Sequence, residues 1–264
     1  MKMTNWTIES AAKFLLDAEN ERTDVAPITD TWEDLDVAQG YLIQDELIRR
    51  RVQAGEQVTG VKLGLTSRAK QERMGIDSPL TAVLTDAMRI AADSSAPYDK
   101  LIHPRVEPEI VFIMEKDLRG PDVDIESALA AVATVHAGFE IIDSRFADFR
   151  FLLPDVVADN ASSSYFLFSE EGVKPADIAL VSELVIVKVD GQEVDRATGA
   201  AVQGHPAAAL ALAANSLHAL GKFIPAGSIV LTGGLTDAVA MDDASRFTAE
   251  FATLGSIEIA PGRA

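Results

Sequence analysis

The chain contains no cysteine. Disulfides, thiolate metal ligands and cysteine nucleophiles are excluded together, and the absence agrees with a reducing cytoplasm. Positive charge is also scarce: 23 Lys and Arg stand against 41 Asp and Glu, a formal net charge of −18 over 264 residues. A field of that sign repels nucleic acid and anionic membranes, so neither is expected as a partner, while cations are drawn in. No uninterrupted apolar run approaches the roughly 18 residues that a membrane span needs. The start at Met1 carries one Lys with no long apolar stretch behind it, so secretion is not indicated and a cytoplasmic location is expected. The order of residues lacks several signatures too. There is no Gly-x4-Gly-Lys-Ser/Thr phosphate loop and no Gly-x-Ser-x-Gly nucleophile turn. The four histidines, His103, His136, His205 and His218, form no His-x3-His pair of the helical zinc type and read as structural. His103 before Pro104, and His205 before a helix start, read as loop-ordering groups.

What is present is enough for a folded core, since 48% of the residues are hydrophobic. Apolar residues at helical spacing predict a helix over 7–19, capped by Thr7 or Ser10, and a second over 32–54 that ends in Arg49, Arg50 and Arg51 before Gly55. From Thr59 onward the pattern changes to short β-prone segments broken by Gly, Pro and Asp, which places a boundary near residue 56: a helical lobe over 1–56 and a second unit over 57–264. Asp190-Gly191 between two β-prone runs predicts a type I′ hairpin. Helices are expected at about 125–134 and 206–220, the latter opening on Pro206 and stopping at Gly221, with the run Ala207 to Ala214 packed closely on a sheet. The class is α+β.

Two carboxylates two residues apart, in Glu107-Pro-Glu109, leave a strand on the same face, shared with Val111 and Ile113. Charge set beside apolar surface is costly unless a cation neutralises it; the alternative is a solvated pair at the mouth of a strand. Glu140 lies in the β-prone run Gly138-Phe-Glu-Ile-Ile142, opposite in direction to Phe139 and Ile141. Three converging carboxylates would offer a hard cation an oxygen face with positions left for substrate; a partly buried ion pair of Glu140 with Arg145 or Arg105 is the competing reading. Lys62, in the glycine-flanked run Gly60-Val-Lys-Leu-Gly64, could fix a substrate carboxylate or manage a proton, or serve as an edge-strand charge. Ser228 to Thr236 reads as a buried strand entering a Gly-Gly turn whose N–H groups, with the Thr232 hydroxyl, could bind an anion; the alternative is a plain turn. Asp159, Asn160 and Ser162 form a polar turn that could equally serve to cap local backbone.

Taken in order, Lys62-Leu-Gly-Leu-Thr-Ser67, His103-Pro-Arg-Val-Glu-Pro-Glu-Ile110, Glu140-Ile-Ile-Asp-Ser-Arg145, Val157-Ala-Asp-Asn-Ala-Ser162 and Gly204-His-Pro206 resemble the hydratase/decarboxylase family of catechol meta-cleavage pathways. That family belongs to the fumarylacetoacetase-like superfamily, so the resemblance implies a fumarylacetoacetase-like mixed β-roll as the catalytic domain over 57–264, behind the N-terminal helical lobe. It implies Mg2+ or Mn2+ held by Glu107, Glu109 and Glu140. Lys62 is implied as the catalytic and substrate-binding group, with Ser162 and Thr232 also on the substrate. It further implies a small 2-oxo acid as substrate, a homo-oligomer, and association between the partner hydratase and decarboxylase. Ser78-Pro-Leu-Thr-Ala82, Ala161-Ser-Ser-Ser164, Met74-Gly-Ile-Asp-Ser-Pro79, Leu101-Ile-His-Pro104 and Thr232-Gly-Gly-Leu-Thr236 resemble the 4-oxalocrotonate decarboxylase branch more than the 2-oxopent-4-enoate hydratase branch. Ala82 departs from both, standing where each usually has Gly, and bears on the shape of the adjoining loop. Metal-dependent decarboxylation is therefore the first expectation and hydration the second. A weakly active interaction subunit is a third, against which stand the intact Lys62 and the three glutamates. An acylpyruvate hydrolase is disfavoured because no His-Glu dyad early in the chain is placed to activate water.

Overall fold

The computed structural model describes residues 6–67, 71–72, 75–76, 79–92 and 94–262. Of the branch motif at 74–79, Met74, Asp77 and Ser78 lie outside the described residues. The first helix, α1 (Ile8–Glu21), starts where Thr7 and Ser10 exchange side-chain and backbone hydrogen bonds, so both candidate caps act reciprocally. Helix α2 (Val37–Gln53) starts at Val37 and not at Trp32. Asp36 and Gln39 form a second capping box there, and the chain before it makes a short 3-10 turn over Ile28–Asp30. Ala11, Ala12 and Leu15 of α1 pack on Ile43, Leu47 and Ile48 of α2, and the cluster takes in Phe146 and Ala158 from later in the chain.

The remaining elements are β1 (Val58–Gly64), β2 (Leu80–Thr85), β3 (Ala96–Pro97), β4 (Arg105–Met114), α3 (Ile125–Leu129), β5 (Val132–Ile142), α4 (Leu153–Ala158), β6 (Ser163–Phe168), β7 (Leu184–Val189), β8 (Gln192–Thr198), α5 (Pro206–Ala219), β9 (Ile229–Leu231), β10 (Val239–Ala240), β11 (Phe247–Phe251), β12 (Gly255–Ile259) and β13 (Pro261–Gly262). The helix expected over 125–134 stops at Leu129, because β-branched Val132, Thr134 and Val135 enter β5 and pair with the end of β4. Asp190 and Gly191, both at positive φ, make the tight turn between β7 and β8 that the dipeptide predicts.

A seven-stranded sheet runs in the order β2-β1-β9-β4-β5-β6 with β10 on β4; a four-stranded antiparallel sheet runs β12-β11-β7-β8. Just after β2 the Ile90 N–H donates to Phe166 O of β6, and Arg89 bridges the same residue. The two outer strands of the large sheet are thus drawn toward each other, and the sheet curls into a roll. Strand alternation gives the roll two kinds of wall. Ile110, Phe112, Phe139 and Ile141 face outward into the main core with Val185, Val187 and Phe247 of the second sheet and the buried alanines of α5. Val111, Leu84, Phe166, Ile229 and Leu231 form a separate cluster. Only the concave face can join Leu84 near one edge to Phe166 near the other. Glu107 and Glu109 share that concave face with Val111.

Candidate metal centre and active site

Glu140 of β5 stands opposite Glu107 of β4 in register, and Glu109 opposite Gly138, where a Cβ would strike Val111 Cγ2. One oxygen from each of Glu107, Glu109 and Glu140 lies within 4.8 Å of the others. Glu109 is 0% exposed and Glu140 is 1% exposed, with Glu107 partly buried. Three carboxylates so placed have lost water and repel one another. Burial first, then the charges of Glu140 and Glu107, push the Glu109 carboxyl well above its ordinary range, against the pull of the Gly233 N–H and Lys62. Burial likewise raises Glu140, opposed by Lys62 and reinforced by Glu107. Oε2 of Glu109 accepts the Gly233 N–H at 2.7 Å, whereas Oε1 is buried with no hydrogen-bond partner. An orphaned carboxylate oxygen beside two more carboxylates is the donor set of a hard divalent cation, and the residues present fit one.

Lys62 is 3% exposed, with Nζ 2.9 Å from Glu140 Oε1 and donating to Ala161 O at 2.7 Å. β1 is flanked by β2 and β9, so Lys62 is no edge-strand charge. Neither arginine proposed as the partner of Glu140 takes that place: Arg145 pairs with Asp159, and the Arg105 guanidinium lies 4.0 Å from the centre of the Phe149 ring. Ala82 stands in β2 directly opposite Lys62, so this departure from the family pattern falls in a strand beside the lysine.

The polar turn after α4 holds Asn160, Ala161 and Ser162 at φ of 49°, 50° and 57°, three successive non-glycine residues in the left-handed region. Asn160 accepts the Val83 N–H and donates to Val83 O, each at 2.9 Å, and so extends the outer edge of β2 like a short strand. Ser162 Oγ donates to Asp159 Oδ2 at 3.2 Å and Ser163 Oγ to Glu140 Oε1 at 3.3 Å. Thr232 is fully buried, with its hydroxyl donated to Ile110 O at 2.8 Å. At Gly233, φ is +109° and a Cβ would strike Thr66; at Gly234 a Cβ would come within 2.8 Å of Glu107 Cδ. Of the groups read as an anion site, the Gly233 N–H meets the Glu109 carboxyl, whereas the Thr232 hydroxyl is turned to Ile110 O.

The histidines stand apart from the acids in a locating role. His103 Nε2 bonds Ser144 O, His136 bridges Thr134 Oγ1 and Ser169 O, and His205 Nδ1 accepts the Ala207 N–H at the start of α5. A groove of about 700 Å³ between α2, α5 and β1–β2 is not lined by Lys62, Glu107, Glu109 or Glu140. The contacts that sequence reasoning missed are mostly backbone groups, the Ala161 carbonyl on Lys62 and the Gly233 N–H on Glu109, which carry no side-chain signal. Arg145 was visible, but its partner Asp159 could be chosen over Glu140 only in space.

The chain is 37% identical to the 4-oxalocrotonate decarboxylase of Pseudomonas sp. (strain CF600), with 97% of each chain covered. It belongs to the hydratase/decarboxylase family. The 2-hydroxyhexa-2,4-dienoate hydratase of Comamonas testosteroni is also 37% identical, over 96% of each chain, so the family's two kinds of lyase are matched alike. The solved 4-oxalocrotonate decarboxylase from Pseudomonas putida G7, complexed with magnesium and adipate, superposes with a TM-score of 0.94 at 33% identity over 97% of both chains. A fumarylpyruvate hydrolase from Pseudomonas aeruginosa, at 15% identity and a TM-score of 0.61 over 78% of this chain and 90% of its own, shares the fold alone. No protein-family model matches the chain.

Proposed function

We propose that the chain decarboxylates 4-oxalocrotonate (2-oxohex-3-enedioate) to 2-hydroxypenta-2,4-dienoate and CO2, with Mg2+ or Mn2+ held by Glu107, Glu109 and Glu140. The observation that carries the metal reading is the buried, unpartnered Oε1 of Glu109 among three carboxylates. The chemistry a divalent cation supplies when bound is Lewis-acidic: positive charge beside the C1 carboxylate and C2 carbonyl of a 2-oxo acid, where negative charge develops. In this substrate the C5–C6 bond breaks. Its electron pair forms C4=C5, the former C3=C4 pair becomes C2=C3, and the C2 oxygen takes the charge and then a proton.

The chain's own residues divide the remaining work. Lys62 orients a substrate carboxylate or supplies the proton, and the Ala161 carbonyl and Glu140 keep its ammonium from free rotation. Ser162, in the strained turn, donates its hydroxyl proton to Asp159 Oδ2 and offers a substrate its oxygen lone pairs. Thr232, whose hydroxyl proton goes to Ile110 O, has only oxygen lone pairs left to offer. The apolar wall of Val111, Leu231 and Phe166 deepens the roll behind the acids and excludes water. Hydration of 2-hydroxypenta-2,4-dienoate is the second reading, favoured by the equal identity to the Comamonas testosteroni hydratase.

The deciding experiment supplies 2-oxohex-3-enedioate and, separately, 2-hydroxypenta-2,4-dienoate, with Mg2+ or with chelator, and follows CO2 and product identity. Metal-dependent CO2 release is the expected result. An untouched diacid with a hydrated dienoate would replace the decarboxylase reading by the hydratase.

A further inference from the structure

Three successive left-handed residues do not persist unless their surroundings hold them, and at Ala161 and Ser162 no glycine relieves the backbone. Two side chains do the holding. From one side Asn160 is tied to both backbone groups of Val83. From the other side comes Arg145, 2% exposed and among the largest fully buried side chains of the molecule. Its Nε donates to Asp159 Oδ1, its Nη2 to Asp159 O, and its Nη1 to Asp143 O at 2.8 Å and Ser163 O at 3.1 Å. One planar guanidinium therefore binds the residue before the turn, the residue after it and the end of β5. Asp159 in turn takes the Ser162 hydroxyl.

The turn presents two groups toward the site: the Ala161 carbonyl, which accepts from Lys62 Nζ, and Ser163 Oγ, which donates to the oxygen of Glu140 that also faces Lys62. We propose that Arg145, through Asp159, is a positioning residue for Lys62: its guanidinium locks the left-handed Asn160–Ser162 turn, and the locked Ala161 carbonyl aims the lysine ammonium into the site. The inference rests on the proposed role of Lys62 in the reaction. A guanidinium is needed because a planar fork reaches three carbonyls and a carboxylate at once, where an ammonium on a flexible stem reaches fewer and fixes none in a plane. A charge this deep also explains why Asp159 is buried: each neutralises the other, and Asp159 together with Glu19 and Asp143 holds the Arg145 guanidinium charged.

The test is a double-mutant cycle of Arg145→Lys with Lys62→Met, reading kcat and KM for 2-oxohex-3-enedioate and the Mn2+ dissociation constant by direct titration. Arg145→Lys keeps the charge and loses the fork. A misplaced Lys62 lowers kcat about 10- to 100-fold, while KM and the Mn2+ dissociation constant stay within about threefold, because the turn meets the triad only through Ser163 Oγ on Glu140 and the β4–β5 register still sets Glu140 opposite Glu107. In the Lys62→Met background the same substitution leaves kcat unchanged, since the two act through one group. Where Arg145→Lys does not fold, Asn160→Gly replaces it in the cycle; it keeps the positive φ and removes only the tie to Val83, and the same kcat-only, non-additive loss is expected. Additive losses, an equal fall in Mn2+ affinity, or unchanged kcat in both turn variants overturns the proposal while leaving the role of Lys62 standing. A fully active Lys62→Met overturns the role of Lys62 and the positioning of it together.

Discussion

At the scale of single residues, a buried carboxylate needs a proton, a cation or hydrogen-bond donors on both oxygens. Glu109 is desolvated, crowded by two like charges and satisfied at one oxygen. Glu109→Gln removes a carboxyl that the metal-free protein ionises only at a cost. Isothermal titration should therefore show divalent-cation affinity falling by at least about 10-fold, with activity lost, while the metal-free variant unfolds at the same temperature or higher. A lower melting temperature with unchanged affinity would sink the ligand assignment. Lys62→Met does the reverse: Glu140 is left as a buried charge without its cation, and denaturant titration of the metal-free protein at neutral pH should show a loss of about 3–5 kcal/mol. That loss shrinks as the pH falls and Glu140 takes up a proton. The carboxylates were legible as residues, because the two-residue spacing of Glu107 and Glu109 forces a common face whatever the fold. The partner of Glu140 was not, because choosing Lys62 over Arg145 requires knowing that β1 and β5 lie on the same concave surface, which no local pattern encodes.

At the scale of elements, local chemistry set most starts and stops, and pairing overruled it where the two met. The capping boxes at Thr7 and Asp36 and the Asp190-Gly191 turn follow from side-chain and backbone preferences alone. Leu129 ends α3 because the following residues gain more from pairing with β4 than from another helical turn. Gly60 is a different case, since it marks the close approach of β1 to β9: a Cβ there would overlap the Ile229 carbonyl. Gly60→Ala must separate the parallel pair that carries Lys62, and a destabilisation of about 1–3 kcal/mol or more is expected from chemical unfolding. The same substitution at Gly191, where nothing lies within 4 Å, meets no such contact and strains only the backbone. If Gly60→Ala costs no more than Gly191→Ala, the approach of β1 to β9 is looser than described.

At the scale of the whole molecule, the curled sheet turns a net charge of −18 into a local demand for cations. Glu109 has a folded pKa above its ordinary value of 4.5. Its contribution to the stability of the metal-free protein is therefore fully present below that ordinary value and is lost as the pH rises through the folded pKa. A bound divalent cation requires the ionised form, so it opposes the loss and releases protons on binding. Thermal unfolding with Mg2+ and with chelator should give melting temperatures that diverge as the pH is raised from about 5 to 8. The stabilisation approaches about 2.7 kcal/mol at a hundredfold excess over the dissociation constant. Converging curves at high pH would show that the triad is not where the cation binds. Among the described residues no helix is long and apolar enough to cross a membrane.

The sequence by itself determined the α+β class, the helices near the start, the common face of Glu107 and Glu109 and the family, because periodicity, spacing and ordered motifs are properties of the chain as a line. Tertiary structure decided what those residues face. The β4–β5 register set Glu140 against Glu107, the bridge from Arg89 to Phe166 closed the roll around them, and the left-handed turn locked by Arg145 and Asn160 brought a backbone carbonyl to Lys62. Those pairings join residues up to 99 positions apart. Their energies come from burial and from polar groups finding partners inside it, quantities that exist only once the chain has folded.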